Sequence, residues 1–160
     1  MADDTSLIVI TNSADETAKL GRCLGPLLTC GDVLALYGNL GSGKTCLVQG
    51  LAQGMAVRGR VSSPTFIIMR QHPSEHETCA LYHVDAYRLD SGDELWQMGL
   101  EDWLDTGAVA VEWSERVADA LPEDRLEIHF AGHCEQRELA MTASGPRSRQ
   151  LLEKLRQCAS

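Results

Sequence analysis

Three mainly apolar runs, at 33–37, 79–85 and 108–113, dominate the hydrophobic pattern of the chain. Runs of this length predict strands that are buried on both faces, as in a parallel sheet. Amphipathic stretches of helical period lie before and between these runs. The first begins at a capping box, in which the Ser13 side chain accepts from the Glu16 N–H and the Glu16 carboxylate bonds back to the backbone. This order of elements predicts an α/β fold.

The remaining elements follow from periodicity and from turn residues. The segments 125–130 and 136–142 alternate between apolar and polar residues on either side of Gly132, which is typical of an antiparallel hairpin at a sheet edge. Helices are predicted after Ser13 and at 45–55, 91–103 and 148–158, further strands at 7–10 and 61–69, and a polar loop at 71–78. The predicted fold has three layers, with a mostly parallel central sheet, helices on both faces and the C-terminal antiparallel hairpin at the edge.

The segment 38–45 (GNLGSGKT) lies between the first apolar run and the helix at 45–55, and it fits the phosphate-binding pattern G-x-x-x-x-G-K-[ST]. Its glycines let successive backbone N–H groups point at phosphate oxygens, and the start of the helix adds its unpaired N–H groups. Lys44 is predicted to reach the β- and γ-phosphates, and the Thr45 hydroxyl to coordinate Mg²⁺. The nucleotide-binding residues predicted here are Asn39, Leu40, Gly41, Ser42, Gly43, Lys44, Thr45 and Cys46.

Two of the apolar runs deliver a carboxylate where the strand ends. Asp85 closes the run at 79–85, and Glu112 follows 108–111. In an open parallel sheet the ligand crevice lies beyond the carboxyl ends of the strands, so acids at two such ends converge on one site. In phosphate-loop enzymes an acid of this kind serves Mg²⁺ or its waters. Asp85 and Glu112 are therefore predicted as catalytic and metal-binding residues, and the pattern leaves open which of them binds the ion directly.

Composition narrows the functional class further. The net charge of −9 and the pI near 4.9 argue against a chain that binds bare nucleic acid, since such binding needs clustered Lys and Arg. The 160 residues suit one domain, here a single P-loop NTPase domain over 1–160. An acidic N-terminus, six cysteines without a C-x-x-C pair and the lack of an apolar run of ~18 residues predict a cytoplasmic protein without a membrane span.

Sub-classes of phosphate-loop protein can be separated by their other motifs. A guanine-specific GTPase needs N-K-x-D, which the sequence lacks. A small-molecule kinase needs arginines around an acceptor pocket, and Arg58, Arg60, Arg70 and Arg88 are available for that role. The kinase therefore stays open as the alternative to an ATPase.

Four motifs together carry a family resemblance: GNLGSGKT at 38–45, SSPTF at 62–66, YHVDAYRL at 82–89 and VEW at 111–113. In this order and spacing the chain resembles the bacterial TsaE (YjeE) ATPases over nearly its whole length. The resemblance implies a role in making N6-threonylcarbamoyladenosine at position 37 of tRNAs that decode codons beginning with A. It implies an ATPase that binds ATP and Mg²⁺ and resets a complex with the TsaD and TsaB proteins, which hold the tRNA.

The resemblance also implies roles for single residues. Lys44 binds phosphates, Thr45 and Glu112 hold Mg²⁺, and Asp85 orients the attacking water or serves the metal. Trp113 lies beside the nucleotide. The chain departs from the family pattern at Asn39, where an acid is common, and at Ala86, where a larger apolar residue is common. Neither departure removes a predicted phosphate or metal ligand.

Overall fold

The computed structural model describes residues 5–39, 43–57, 68–75, 79–132 and 135–159. Within these ranges the strands are β1 (Ser6–Thr11), β2 (Val33–Tyr37), β3 (Met69–His72), β4 (Ala80–Asp85), β5 (Gly107–Glu112), β6 (Leu126–Ala131) and β7 (Arg137–Ala143). The helices are α1 (Ala14–Leu24), α2 (Lys44–Gly54), α3 (Gly92–Met98), α4 (Leu100–Thr106) and α5 (Pro146–Ala159). Short 3₁₀ turns at Gly25–Leu27, Ser114–Arg116 and Ala118–Ala120 complete the regular structure there.

The strands form one mixed sheet in the order β1-β7-β6-β2-β5-β4-β3. The four central strands, β6, β2, β5 and β4, run parallel, whereas β3, β7 and β1 pair antiparallel with their neighbours. The parallel part is thus confined to the centre of the sheet. Strands β6 and β7 pair antiparallel, but the hairpin is not at the edge because β1 pairs with the far side of β7.

Helices cover both faces of the central sheet. On one face α1, α2 and α5 pack on a core that includes Leu34 and Leu36 of β2. On the other face α3 and α4 pack on a core that includes Val33 and Ala35 of the same strand, with Trp103 from α4. Alternate residues of β2 therefore supply both cores, which explains why its sequence is apolar without interruption.

Two glycines bring α1 and α2 unusually close together. A Cβ atom at Gly21 of α1 would collide with the backbone carbonyl of Leu47, and one at Gly50 of α2 with that of Ala18. Both positions need glycine because the two backbones approach too closely for a side chain. The packing places α2, which begins at Lys44, tightly against α1.

The structure corrects three of the predicted elements. The helix predicted at 91–103 is two helices, because the chain turns at Gly99 with φ 122°. Strand β3 runs to His72, inside the predicted polar loop, because pairing with β4 overrides its polar composition. Of the strand predicted at 61–69, residues 61–67 lie outside the described residues, and the C-terminal helix begins two residues early at Pro146.

The capping box at Ser13 is formed as expected, with Ser13 Oγ accepting from the Glu16 N–H at 3.1 Å and the Glu16 carboxylate accepting from the Asn12 N–H. In the part of the chain that the structure describes, no helix is long and apolar enough to cross a bilayer.

Candidate functional site

The candidate site lies beyond the carboxyl ends of β2, β5 and β4, which are neighbours in the sheet. Strand β2 leads into the segment 38–45, and its Leu36 is the register partner of Glu112 on β5. Glu112 in turn is the register partner of Asp85 on β4. Register partners in a parallel pair face the same side of the sheet, and Leu36 packs in the core beneath α2. Both acids therefore face the side on which α2 begins.

Lys44 is the first residue of α2 and brings its charge to this point. The helix starts after Gly43, whose φ of 103° lies in the left-handed region that suits glycine. The Lys44 ammonium donates to the carbonyl oxygen of Gly38 at 2.6 Å and lies 4.4 Å from the centroid of the Trp113 ring. Burial lowers the pKa of Lys44, and the charges of Glu112, Glu115 and Asp85 oppose that shift. The predicted cation and the two predicted acids are thus close enough to interact.

The two acids differ in their surroundings. Glu112 is 5% exposed, and its Oε2 lies 2.5 Å from Nε2 of the fully buried His83. Asp85 is half-buried, and its Oδ1 accepts from the Tyr87 N–H at 3.0 Å. Glu112 is therefore held by a buried side chain, whereas Asp85 is held by its own turn and is more open to solvent.

Trp113 follows β5 in an unusual backbone conformation, with φ 59°. A bulky residue in the left-handed region costs of the order of 1–3 kcal/mol and is found where surrounding structure enforces it. Here the ring lies against Lys44, and the Tyr87 ring is 5.0 Å from it between centroids. The Arg116 guanidinium lies 5.1 Å from the centroid of the Tyr87 ring. Two cations and two aromatic rings thus form a continuous series of contacts that begins at Lys44.

The other predicted loop residues are placed only in part. Thr45 and Cys46 are half-buried in the first turn of α2, and Asn39 is exposed after β2. Leu40, Gly41 and Ser42 lie outside the described residues, as does the segment 62–66. The hydroxyl of Thr45 and the carboxylates of Asp85 and Glu112 are hard oxygen donors, the type that Mg²⁺ prefers. The donor set therefore fits the ion that the sequence predicts.

Sequence reasoning did not single out His83, the residue that contacts Glu112. Its signal was a polar side chain inside an otherwise apolar run, two positions before Asp85 and so on the same face of the strand. Arg116 was also missed, and no motif marks it.

The sequence was compared with models of known protein families. A family model described as "Threonylcarbamoyl adenosine biosynthesis protein TsaE" matches residues 11–139. The chain belongs to the TsaE family. The matched range of the TsaE model includes the loop after β2 and both strand-end acids.

TsaE relatives from two bacteria illustrate the similarity. The Streptomyces coelicolor protein is 49% identical over 113 residues, which cover 70% of this chain and 76% of the relative. The Bacillus subtilis protein is 36% identical over 148 residues, covering 91% and 90%. Both are named tRNA threonylcarbamoyladenosine biosynthesis protein TsaE. A crystal structure of Bacillus subtilis YdiB superposes with a TM-score of 0.81 at 30% identity and covers 97% of each chain.

Proposed function

We propose that this TsaE-family chain is a P-loop ATPase that binds ATP and Mg²⁺ and uses hydrolysis to reset a TsaD–TsaB complex during tRNA N6-threonylcarbamoyladenosine synthesis. The family is named for that biosynthesis. One observation carries the ATPase proposal. Lys44, at the start of α2, lies within electrostatic range of Asp85 and Glu112, which stand at the carboxyl ends of adjacent strands. That arrangement supplies a cation for phosphates and two acids for a metal ion and a water.

In the proposed mechanism, Lys44 exchanges its bond to the Gly38 carbonyl for the β- and γ-phosphate oxygens. Thr45 and Glu112 would hold Mg²⁺, and the more open Asp85 would orient the attacking water. When bound, Mg²⁺ neutralises charge that develops on the phosphate oxygens. Loop amides and Lys44 stabilise the same charge from the other side, so the protein contributes mainly positioning and electrostatics.

The partner-dependent part of the proposal rests on the residues after Asp85. Tyr87 is 53% exposed and Arg88 is exposed, although both follow directly on the strand that ends in the site. A protein docked on this chain at Tyr87 and Arg88 would contact the turn that holds Asp85 in place. Partner binding and hydrolysis are therefore coupled through a few residues in the proposed complex.

Phosphate release from ATP tests the proposal. We expect weak activity from the chain alone and stimulation by TsaD, TsaB and tRNA. Asp85→Asn and Glu112→Gln should each reduce stimulated turnover by about 100-fold or more, the usual effect of removing a group that acts on the transition state. The matched control is Asp105→Asn. Asp105 is an exposed acid two residues before the start of β5, at the end of the strand away from the site, and its variant should behave as wild type.

Two outcomes would contradict the ATPase assignment. Full stimulated turnover in both site variants would exclude the acids from the chemistry. Turnover that ignores the proteins but requires a small acceptor metabolite would favour a kinase.

A further inference from the structure

His83 is a fully buried polar side chain near the candidate site. It lies on β4 with 0% of its surface exposed, between Tyr82 and Val84, whose side chains belong to the core on the other face of the sheet. Alternation along the strand places His83 on the same face as Asp85. Its Nε2 lies 2.5 Å from Oε2 of Glu112 on the neighbouring strand. A buried imidazole thus bonds directly to one of the two strand-end acids.

The hydrogen bonding around the ring determines which nitrogen carries the proton. Nδ1 of His83 has no hydrogen-bond partner among the described residues, whereas Nε2 faces a carboxylate oxygen. A carboxylate oxygen is an acceptor, so the bond is formed by the tautomer of His83 that carries its proton on Nε2. The bond occupies Oε2 of Glu112 and leaves the lone pairs of Oε1 for a metal ion or a water bound to it.

We propose that His83 is a positioning residue that fixes the Glu112 carboxylate for Mg²⁺ binding beside the nucleotide. The inference rests on the proposed function, because it assigns a task within the same site. A glutamate side chain has three rotatable bonds, and a donor on one oxygen restricts the direction of the other. Partners that orient a metal-binding side chain in this way typically contribute about 10- to 100-fold to metal affinity or activity.

His72 provides an internal comparison. It is also buried, at 5% exposure, and lies on β3, next to β4 in the sheet. In contrast to that of His83, its Nε2 has no hydrogen-bond partner among the described residues, and no carboxylate contacts it there. If burial of an imidazole were the whole role of these residues, replacement of either should affect only stability.

The test compares four variants of the full chain. His83→Leu removes the donor, and His83→Gln keeps an N–H at about the reach of Nε2. His83→Asn stays polar but is too short to reach Glu112, and His72→Leu is the matched control. Calorimetric titration with a non-hydrolysable ATP analogue, at a series of Mg²⁺ concentrations, gives the half-saturating Mg²⁺ for each variant. Thermal unfolding and stimulated turnover are measured on the same preparations.

We expect His83→Leu and His83→Asn to raise the half-saturating Mg²⁺ by about 10- to 100-fold, while affinity for the analogue without Mg²⁺ changes little. His83→Gln should return to within a few-fold of wild type, and His72→Leu should leave the Mg²⁺ dependence unchanged. Stimulated kcat should follow the same order at limiting Mg²⁺.

Wild-type Mg²⁺ dependence in His83→Asn would overturn the inference even if His83→Leu fails to fold. The same conclusion would follow if His83→Gln were as defective as His83→Asn, because then the donor itself is irrelevant. A wild-type chain that binds the analogue with no dependence on Mg²⁺ would overturn both the inference and the proposed function. Normal Mg²⁺-dependent binding and turnover in wild type, together with unaffected His83 variants, would leave the proposed function intact and reject the role of His83 alone.

Discussion

The Lys44 ammonium is held by two groups, the Gly38 carbonyl and the face of the Trp113 ring. Its pKa is nevertheless lowered, with burial as the main cause. A lowered pKa means that the charged form is less well stabilised in the folded protein than in water. The charge of Lys44 is therefore less favourable in the ligand-free fold than in water, and the phosphates of the proposed function would supply the missing counter-charge.

This opposition leads to a prediction for Lys44→Met. ATP affinity should fall by about 10- to 100-fold, the worth of a charged hydrogen bond, whereas the melting temperature without nucleotide should stay the same or rise. Calorimetric ATP titration and thermal unfolding measure the two effects. Lys154→Met, an exposed lysine on α5, is the control and should change neither. Unchanged ATP affinity in Lys44→Met would remove Lys44 from the binding site.

At the scale of single residues, the sequence predicted the groups that chemistry requires and missed those that depend on tertiary contacts. Asp85 and Glu112 were marked by their positions at the ends of apolar runs, and the structure makes them register partners. The contact between His83 and Glu112 joins two strands that are far apart in sequence, so no local pattern indicates it. The left-handed conformation of Trp113 is equally invisible to propensity, which disfavours it. Whether these residues bind ATP and Mg²⁺ stays a prediction.

The N-terminus of α5 is capped by a single carboxylate from outside the helix. The Asp124 carboxylate accepts from the N–H of Arg147 at 2.8 Å and of Ser148 at 2.9 Å, in the first turn of α5. Arg147 also forms two bonds of 2.9 Å to the buried Asp32, just before β2. Burial raises the pKa of Asp124, but the hydrogen bonds from Ser148 and Arg147 outweigh it, so the pKa lies below its usual value.

The lowered pKa fixes the pH range in which Asp124 stabilises the fold. A carboxyl with a depressed folded pKa contributes fully above its unfolded pKa of about 3.9, and the contribution is lost as pH falls through the folded value. Asp124→Ala should therefore lower the free energy of unfolding by about 1 kcal/mol at pH 7, a typical loss for a helix cap. The difference from wild type should shrink below about pH 4.

Urea unfolding at several pH values measures the Asp124 effect. Glu135→Ala, an exposed acid ahead of β7, is the control, and we expect it to change stability at pH 7 by less than about 0.5 kcal/mol. A difference between Asp124→Ala and wild type that stays constant from pH 7 to pH 2 would show that the charge of Asp124 is not what stabilises α5.

At the scale of elements, the sequence predicted the strands better than their arrangement. The apolar runs gave β2, β4 and β5 nearly to the residue, because burial on both faces favours apolar side chains at most of their positions. The alternation of apolar and polar residues predicted strands β6 and β7. It did not predict that β7 pairs with β1, a strand more than 120 positions earlier in the sequence. The break at Gly99 was missed because apolar residues recur at helical spacing on both sides of it.

The charge of the whole molecule bears on its proposed role with tRNA. A net charge of −9 opposes approach to a phosphate backbone, and three arginines of the described part, Arg125, Arg147 and Arg156, are paired with acids. We predict that the chain alone binds tRNA more weakly than about 10⁻⁴ M at physiological salt, and that tRNA joins only with TsaD and TsaB present. Fluorescence anisotropy with labelled tRNA checks this. Micromolar binding by the chain alone would contradict it.

Sheet topology also determines when the site can assemble during synthesis. Strand β2 is made early, yet its Leu34 pairs with Ala110 of β5 and with Leu126 of β6. Strand β1 is synthesised first but can pair only after β7 has been made, since Ser6 pairs with Thr142 of β7. Parallel pairings over such separations form slowly, because a long loop must close before any contact compensates for it. A nascent chain therefore carries the segment 38–45 without its two neighbouring strands beside β2 until β6 has been synthesised, and the nucleotide of the proposed function would stabilise the fold only after that.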